Sequence, residues 1–148
     1  RPKVPNFADE KNNFEIGKGI LLVKGSDVTI VATGHLVWEA IVASEKLKQM
    51  NISAEVINIH TIKPLDEKII IQSTKKTNAI VTAEEHNIFG GLGESISRAL
   101  SLNYPTPQEF VGTMDTFGES GKPSELMKKY GLTSDKIIEK VKKVIKRK

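Results

Sequence analysis

The stretch VTAEEHNIFGGLGES, residues 81–95, contains residue types that could do chemistry. Two carboxylates and a histidine end a short apolar run, and three glycines then lead into a helical pattern. These residues are Glu84, Glu85, His86, Gly90, Gly91 and Gly93. Glycine-rich turns at a helix start can bind phosphate, and carboxylates beside a histidine can transfer protons. The stretch is therefore a phosphate site, an acid and base pair, or a structural joint between a strand and a helix.

The glycines match a dinucleotide-binding loop poorly. The fingerprint G-x-G-x-x-G needs a third glycine three positions after Gly93, where the sequence has Ile96. Glu84 and Glu85 also place negative charge where a pyrophosphate would lie, which weakens its binding. Because glycine has no side chain, the pattern favours a sharp turn that lets the helix start approach the sheet or a neighbouring surface closely.

A second glycine-rich segment, FGESGKPSE at 117–125, has some features of a P-loop. The P-loop needs a glycine five positions before the glycine of its Gly-Lys pair, and a serine or threonine directly after the lysine. These two positions hold Thr116 and Pro123. Proline at a helix start also removes an amide donor that a phosphate would use. We therefore reject a P-loop.

Three histidines each follow the end of a predicted strand, namely His35, His60 and His86. In a parallel sheet these strand ends share one edge, where ligand sites of open α/β folds usually lie. With the nearby carboxylates of Glu84, Glu85 and Asp66, the histidines could form a metal or acid–base site. No two of them have the i, i+4 spacing of a helical metal site, so we favour histidines that make ordinary hydrogen bonds at solvent or at an interface.

Nucleophilic catalysis has no support in the sequence. No serine lies in a G-x-S-x-G elbow, and the chain has no cysteine. Glu84 and Glu85 are adjacent in a predicted strand, so their side chains point to opposite faces and cannot act as a pair. We therefore predict no catalytic, cofactor-binding or metal-binding residue in this chain.

Strand and helix patterns alternate along the chain. Strands are predicted over 19–24, 27–33, 54–60, 78–85 and 108–114, and helices over 36–51, 65–76, 91–102, 123–131 and from Thr133 or Ser134 onward. A tight turn at Gly25 and Ser26 predicts that the first two strands pair as an antiparallel hairpin. The alternation predicts an α/β fold with three α/β/α layers around a five-stranded mixed, mostly parallel sheet, in which only the first strand is antiparallel.

The composition is that of a globular protein of one domain. Of 148 residues, 39% are hydrophobic and 27% are charged. No run of eighteen apolar residues occurs, so we expect neither a membrane span nor a secretory signal. The absence of cysteine excludes disulfides and cysteine-based zinc sites, and it fits the reducing environment of a cytoplasmic protein.

The net charge of +4 is concentrated near the carboxyl terminus. Residues 136–148 contain seven basic residues and one acidic residue, a net charge of +6, so the remaining residues sum to −2. Apolar residues recur at helical spacing in the same segment, which predicts a closing helix with a lysine-rich outer face. Because the segment has no aromatic residues for stacking, we favour this helix over an arm that binds nucleic acid or membrane.

The first residues, RPKVPN, lack an initiator methionine and have the composition of a linker. Pro2 and Pro5 favour extended chain, and no apolar periodicity begins until later. We therefore expect a linker from a preceding domain over 1–15 and the domain itself over 16–148.

Three segments taken together resemble the C-terminal domain of transketolase. They are DVTIVATGHLVWEAIVASEKL at 27–47, AIVTAEEHNIFGGLGESISRAL at 79–100 and TMDTFGESGKPSELMKKYGLTSDKI at 113–137. The likeness extends from about Gly19 to Ile145 in matching order and spacing. Deoxyxylulose-phosphate synthases and the beta subunits of 2-oxo acid dehydrogenases contain the same type of domain, but the residues FGESG followed by Pro123, Glu125 and Leu126 resemble transketolase more.

The resemblance implies a role for the whole enzyme that this chain does not perform alone. Transketolases move two-carbon ketol units between sugar phosphates, as in the pentose phosphate pathway, using thiamine diphosphate and a divalent cation, Mg or Ca. In that family the cofactor lies between the N-terminal domain and the pyrimidine-binding domain of the partner subunit in a homodimer. The C-terminal domain holds neither group, so the resemblance transfers no catalytic residue to this chain.

The resulting hypothesis is a non-catalytic domain that packs on the N-terminal and pyrimidine-binding domains and contributes to a homodimer. We expect the segment from Glu84 to Gly93 to be the principal contact loop, since glycines permit close approach and the charged residues can form hydrogen bonds across an interface. The alternative is a regulatory module that binds a small ligand at the same sheet edge. That edge would include His35, His60 and His86, with the loop containing Phe117 and Ser120.

Overall fold

The computed structural model of the protein describes residues 5–6 and 14–148. The strands are β1 (Ile20–Val23), β2 (Val28–Ala32), β3 (Ala54–Asn58), β4 (Ile80–Asn87) and β5 (Gln108–Thr113). The helices are α1 (Leu36–Gln49), α2 (Glu67–Thr77), α3 (Leu92–Asn103), α4 (Pro123–Lys129) and α5 (Ser134–Ile145). The linker expected over 1–15 lies mostly outside the described residues, so its boundary remains a prediction.

The five strands form one sheet in the order β1-β3-β2-β4-β5. Strand β1 runs antiparallel to β3, and every other neighbouring pair is parallel. This arrangement confirms the predicted α/β class with one antiparallel strand. The alternation of strands with helices produces it, because each parallel connection needs a helix to return the chain to the starting end of the sheet.

The predicted hairpin between the first two strands is wrong. Strand β1 pairs with β3, so that Ile20 lies opposite Asn58, while β2 pairs with β3 and β4 on its two sides. The connection from β1 to β2 passes the start of β3, where the backbone amides of Ser26 and Asp27 both donate to the carbonyl oxygen of Ser53. A side chain at Gly25 would lie 2.3 Å from the β3 backbone, so only glycine fits this crossing.

Successive residues of the strands face two separate cores, as expected for a sheet covered on both sides. Ile30 of β2 packs in a cluster with residues of α1 and α5, whereas its neighbour Val31 packs with residues of α2 and α3. The helices α1 and α5 also contact each other, as do α2 and α3. The molecule therefore has the three predicted layers.

The closing helix α5 has the amphipathic character that its sequence predicts. Ile137, Val141 and Val144 are buried on its inner side, and the side-chain oxygen of Thr133 accepts a hydrogen bond from the amide of Lys136 to cap its first turn. Within the described residues, no helix combines the length and apolar character needed to cross a bilayer.

Candidate functional site

The carboxyl ends of β2 and β4 form the topological switch point of the sheet. These strands are neighbours, yet the chain leaves β2 towards α1 on one face and leaves β4 towards α3 on the other. Such divergence opens a crevice at which open α/β folds usually bind ligands. Here the crevice has a volume of about 250 Å³, and its lining includes Thr33, Gly34, Ile62, Glu85, His86 and Gly90.

The side chain of Glu84 fills the anion-binding position in this crevice. Its residue is 2% exposed. One carboxylate oxygen accepts a hydrogen bond of 2.8 Å from the amide of Leu92, and the other accepts a hydrogen bond of 2.8 Å from the amide of Gly93. These amides belong to the first turn of α3, where the helix dipole also favours negative charge. The protein's own carboxylate therefore takes the place that a phosphate would otherwise occupy.

Two of the three glycines give room to side chains of the domain itself. A side chain at Gly91 would begin 2.0 Å from a carboxylate oxygen of Glu84, and one at Gly93 would begin 2.6 Å from the ring of Phe110. Gly90 instead adopts a positive φ of 72°, a conformation that residues with a side chain rarely adopt. The glycines thus allow the strand, the loop and the helix start to pack closely.

The first three residues of the predicted contact loop, Glu84, Glu85 and His86, have different surroundings. Glu85 and His86 are exposed, whereas Glu84 is buried and bonded inside the domain. Our expectation that Glu84 presents its charge to a partner does not fit this geometry, because both of its oxygens serve the first turn of α3. His86 lies near this carboxylate, with its Nδ1 atom 3.9 Å from an oxygen of Glu84 and 2.8 Å from the carbonyl oxygen of Asn87.

The other histidines lie at the same end of the sheet, but each has its own local surroundings. His35 directly precedes α1 and makes no side-chain cap to that helix. The Nε2 atom of His60 lies 3.0 Å from the carbonyl oxygen of Glu15, and its ring packs edge-on against Phe14. In residues 5–6 and 14–148, no group of three or more histidine, aspartate or glutamate side chains is placed to hold a metal ion.

Asp66, which we considered as an additional site carboxylate, has a structural role. One of its oxygens accepts a hydrogen bond from the amide of Ile69 and caps α2, and the other accepts one from the amide of Gly19. The carboxylate therefore joins the start of β1 to the start of α2, and it does not face the crevice.

A second loop, residues 114–122, follows β5 at the same edge. Phe117 is 99% exposed, and Ser120 is also exposed. Polar contacts nevertheless hold the loop: the hydroxyl of Tyr130 donates to the carbonyl oxygen of Phe117, and Lys129 pairs with Glu119 at 2.6 Å. Beside the loop lies a groove of about 390 Å³, whose lining includes Glu85, His86, Thr113, Leu126, Met127 and Tyr130.

Sequence reasoning missed the residue that joins the two loops. The side-chain amide of Asn87 donates to Asp115 at 3.0 Å, and its oxygen accepts from the amide of Phe89 at 2.9 Å. Glu94 of α3 adds a further contact by accepting from the amide of Gly90. An asparagine beside a glycine-rich turn is a signal for such local bonding, although its partner 28 residues away is not visible in the sequence.

Sequence reasoning also missed a charge cluster at the edge strand β5. The carboxylate of Glu109 is nearly buried and binds three cations: Lys140 of α5 at 3.2 Å, Lys143 of α5 at 3.1 Å, and Arg147, in the turn after α5, at 2.6 Å. Burial acts to raise the pKa of this carboxyl group, but the hydrogen bonds from the two lysines and the arginine outweigh burial and hold the pKa of Glu109 below its usual value. Part of the basic tail is therefore bound to the domain itself.

Comparison with known proteins assigns the family. Residues 17–137 match the sequence profile described as the transketolase C-terminal domain. The chain belongs to the transketolase C-terminal domain family. The match covers both loops of the carboxyl edge and the Glu84 crevice.

Curated relatives have names that agree with this family. The chain is 45% identical to a 6-deoxy-6-sulfo-D-fructose transketolase subunit of Clostridium sp. strain MSTE9, over 100% of this chain and 46% of the relative. It is 44% identical to a protein of Methanocaldococcus jannaschii named as a transketolase C-terminal section, over 94% of this chain and 43% of the relative. The chain thus spans about half the length of these curated relatives.

A solved structure confirms both the fold and the family. It is a split-gene transketolase described as an inactive beta4 tetramer, with a TM-score of 0.93 and 40% sequence identity. The alignment covers 97% of this chain and 47% of that chain. The family also includes 1-deoxy-D-xylulose-5-phosphate synthases, and the enzyme of Desulforudis audaxviator is 38% identical over 83% of this chain and 20% of its own length.

Proposed function

We propose that this chain is the non-catalytic C-terminal part of a transketolase, whose complete form transfers two-carbon ketol units between sugar phosphates. The complementary half, meaning the part of the relatives' length that this chain does not span, carries the chemistry in this proposal. The observation that carries the proposal is the family match combined with the occupied anion position at the start of α3. The usual ligand position of the fold is occupied by Glu84, so the domain contributes packing surfaces instead of a reaction site.

Thiamine diphosphate and a divalent cation, Mg or Ca, are the proposed cofactors of the complete enzyme. The residues that the structure describes do not fit either group. The amides of Leu92 and Gly93, which would be the obvious diphosphate donors, already bond to Glu84. The described residues also lack a carboxylate cluster suited to a cation. We therefore assign cofactor binding to the complementary half.

The proposed partners are the N-terminal and pyrimidine-binding domains, in a cytoplasmic homodimer. Two relatives are named as transketolase subunits, which supports a subunit arrangement. They are the sulfofructose enzyme described above and an apulose-4-phosphate transketolase of Phocaeicola vulgatus, which is 34% identical over 99% of this chain. Their names specify different sugars, so we propose only that the substrate of the complete enzyme is a ketose. The pentose phosphate pathway is one pathway in which such an enzyme could act. We propose no nucleic-acid or membrane partner.

The direct test is calorimetric titration of this chain with thiamine diphosphate and magnesium, alongside a ketol-transfer assay of the protein that includes the complementary half. We expect no heat of binding for the chain alone, and we expect two-carbon transfer from a ketose donor to an aldose acceptor by the complete protein. Tight cofactor binding by the chain alone would contradict the non-catalytic role. Release of carbon dioxide from a 2-oxo acid, in place of ketol transfer, would instead favour a synthase or dehydrogenase of the same family.

A regulatory module is the second candidate, because two clefts share one wall at the carboxyl edge. Glu85 and His86 line both the 250 Å³ crevice and the 390 Å³ groove. A small polar ligand could therefore contact them from either side. The test is to follow the histidine resonances of His35, His60 and His86 by NMR while sugar phosphates, nucleotides or zinc are added. Shifts that saturate would support a regulatory ligand, and unchanged shifts would exclude these ligand classes.

A further inference from the structure

Exposed apolar side chains are concentrated at the carboxyl edge of the sheet. Among the described residues, Phe89 is 57% exposed, Met114 is 64% exposed and Phe117 is 99% exposed, all on the loops that follow β4 and β5. We call these three residues and the adjoining 390 Å³ groove the apolar edge surface. Large apolar side chains on neighbouring loops are typical of a surface that another protein segment covers.

The apolar edge surface is held in position by bonds that do not involve its apolar side chains. Asn87 joins the two loops through Asp115, and Tyr130 holds the backbone of Phe117. Because the loops are already ordered by these contacts, a partner would lose little conformational entropy when it binds them. The side chain of Phe117 is almost fully exposed, so it is available for contact with another protein segment.

The groove beside Phe117 offers a complementary depression. Helix α4 forms one of its walls, and none of the residues of α4 is buried. Leu126, Met127 and Tyr130 are only partly covered. The surface thus combines a protruding aromatic ring with an apolar depression, an arrangement that gives an interface both area and a defined orientation.

The path of the chain brings the segment before β1 to the same end of the sheet, at the β1 side, with three strands between it and β5. The residues before β1 lie across the same end of the sheet, where the amide of Gly17 donates to the hydroxyl of Thr61 and Phe14 packs against His60. Strand β1 then starts opposite Asn58, at the carboxyl end of β3. A domain that precedes β1 on one polypeptide is therefore tethered at the carboxyl edge, which raises its effective concentration there.

We infer that the apolar edge surface is the docking site for the complementary half, with Phe117 as its central contact. The inference rests on the proposed function for the existence of that half and adds which surface it covers. Tethering favours the complementary half over a second copy of this domain, which would be held at the edge by no such connection.

The test uses the complete protein in which this chain follows the complementary half on one polypeptide. Hydrogen exchange of segment 114–121 is measured for the parent protein, for Phe117→Ser and for the control Leu102→Ser. Leu102 is 71% exposed at the last turn of α3, at the opposite end of the sheet. Since both side chains are exposed, neither substitution removes a core contact. We expect exchange about tenfold faster in Phe117→Ser than in the parent, and unchanged exchange in Leu102→Ser.

Each other outcome overturns the inference. Equal exchange in the parent and in Phe117→Ser would show that no partner covers the loop. Protection that disappears on dilution, in step with self-association measured by sedimentation, would assign the surface to a second copy. A ketol-transfer assay on the same samples separates the two proposals, because activity without protection contradicts only the docking site, and protection without activity contradicts only the transketolase function.

Discussion

Two buried glutamates of this domain, Glu84 and Glu109, are stabilised in opposite ways. Glu84 lies at the centre of the sheet and receives hydrogen bonds from two backbone amides of α3. Glu109 lies on the edge strand β5 and binds two lysines of α5 and the arginine that follows this helix. The amides are fixed parts of a helix, whereas the cations are flexible side chains partly in water. The carboxylate of Glu84 is therefore held by the backbone of the fold, whereas the carboxylate of Glu109 is held by ion pairs with side chains.

Removing the central carboxylate is expected to have the largest effect. Glu84→Ala leaves two buried amides without acceptors, so we expect the free energy of unfolding to fall by about 3 kcal/mol. Urea denaturation of the parent and the variant measures the loss. Glu125→Ala, at an exposed position of α4, is the control and should change stability by less than about 0.5 kcal/mol. A loss of that small size for Glu84→Ala would contradict the structural role of this carboxylate.

The next effect comes from Gly91, which faces the same carboxylate. Gly91→Ala places a methyl group against Glu84 and should cost about 2 kcal/mol. Because the nearest atoms to this methyl group all belong to Glu84, the same substitution in a Glu84→Ala background should cost much less. Urea denaturation of the two single variants and the double variant gives the coupling free energy between Gly91 and Glu84. Additive losses would mean that the glycine is required for another reason.

A smaller effect is expected at the peripheral carboxylate. Glu109→Gln should lower the free energy of unfolding by about 1 kcal/mol, since its three cations can turn towards water when the carboxylate is lost. Salt screens partly exposed charges, so this loss should shrink in concentrated sodium chloride while the loss from Glu84→Ala persists. Denaturation at low and high salt provides the comparison. Equal salt dependence for both variants would remove the distinction between them.

The smallest effect is the dependence of the Glu109 contribution on pH. Its cations hold the pKa of Glu109 below the usual value of 4.5, so the stabilisation is fully present above that value. It is lost as the pH falls through the lowered pKa of the folded protein. The stability difference between the parent and Glu109→Gln should therefore be constant near neutral pH and decline below about pH 4.5. A difference that grows on acidification would have the wrong sign.

Local patterns were sufficient to predict most of the fold. Pro123 and Gly131 marked the limits of α4, Thr133 marked the start of α5, and the continuous apolar run of β4 indicated a strand covered on both faces. The partner of β1 could not be predicted in this way. The short turn between β1 and β2 favours a hairpin of these two strands. In the sheet, however, β2 pairs with β3 and β4 on its two sides, and no local pattern reveals these partners.

The candidate site was only partly predictable. Strand alternation correctly placed Glu84 and Glu85 on opposite faces, and the glycines correctly suggested close packing. The acceptor role of Glu84 depends on amides eight and nine residues further along the chain, which come into reach only after the loop has folded. The partners of Glu109 are 31 to 38 residues away, on α5 and in the turn after it, and the sequence does not show how this helix packs against β5.

The most direct test of the central claim is an NMR titration of the chain with inorganic phosphate, following the backbone amides of Leu92 and Gly93. If Glu84 fills the anion position, these signals stay unchanged in the parent chain and shift with saturation in Glu84→Ala, whose amides are vacant. Saturable shifts of both amides in the parent chain would contradict the account, because they would show that phosphate displaces the carboxylate and that the crevice is an open ligand site.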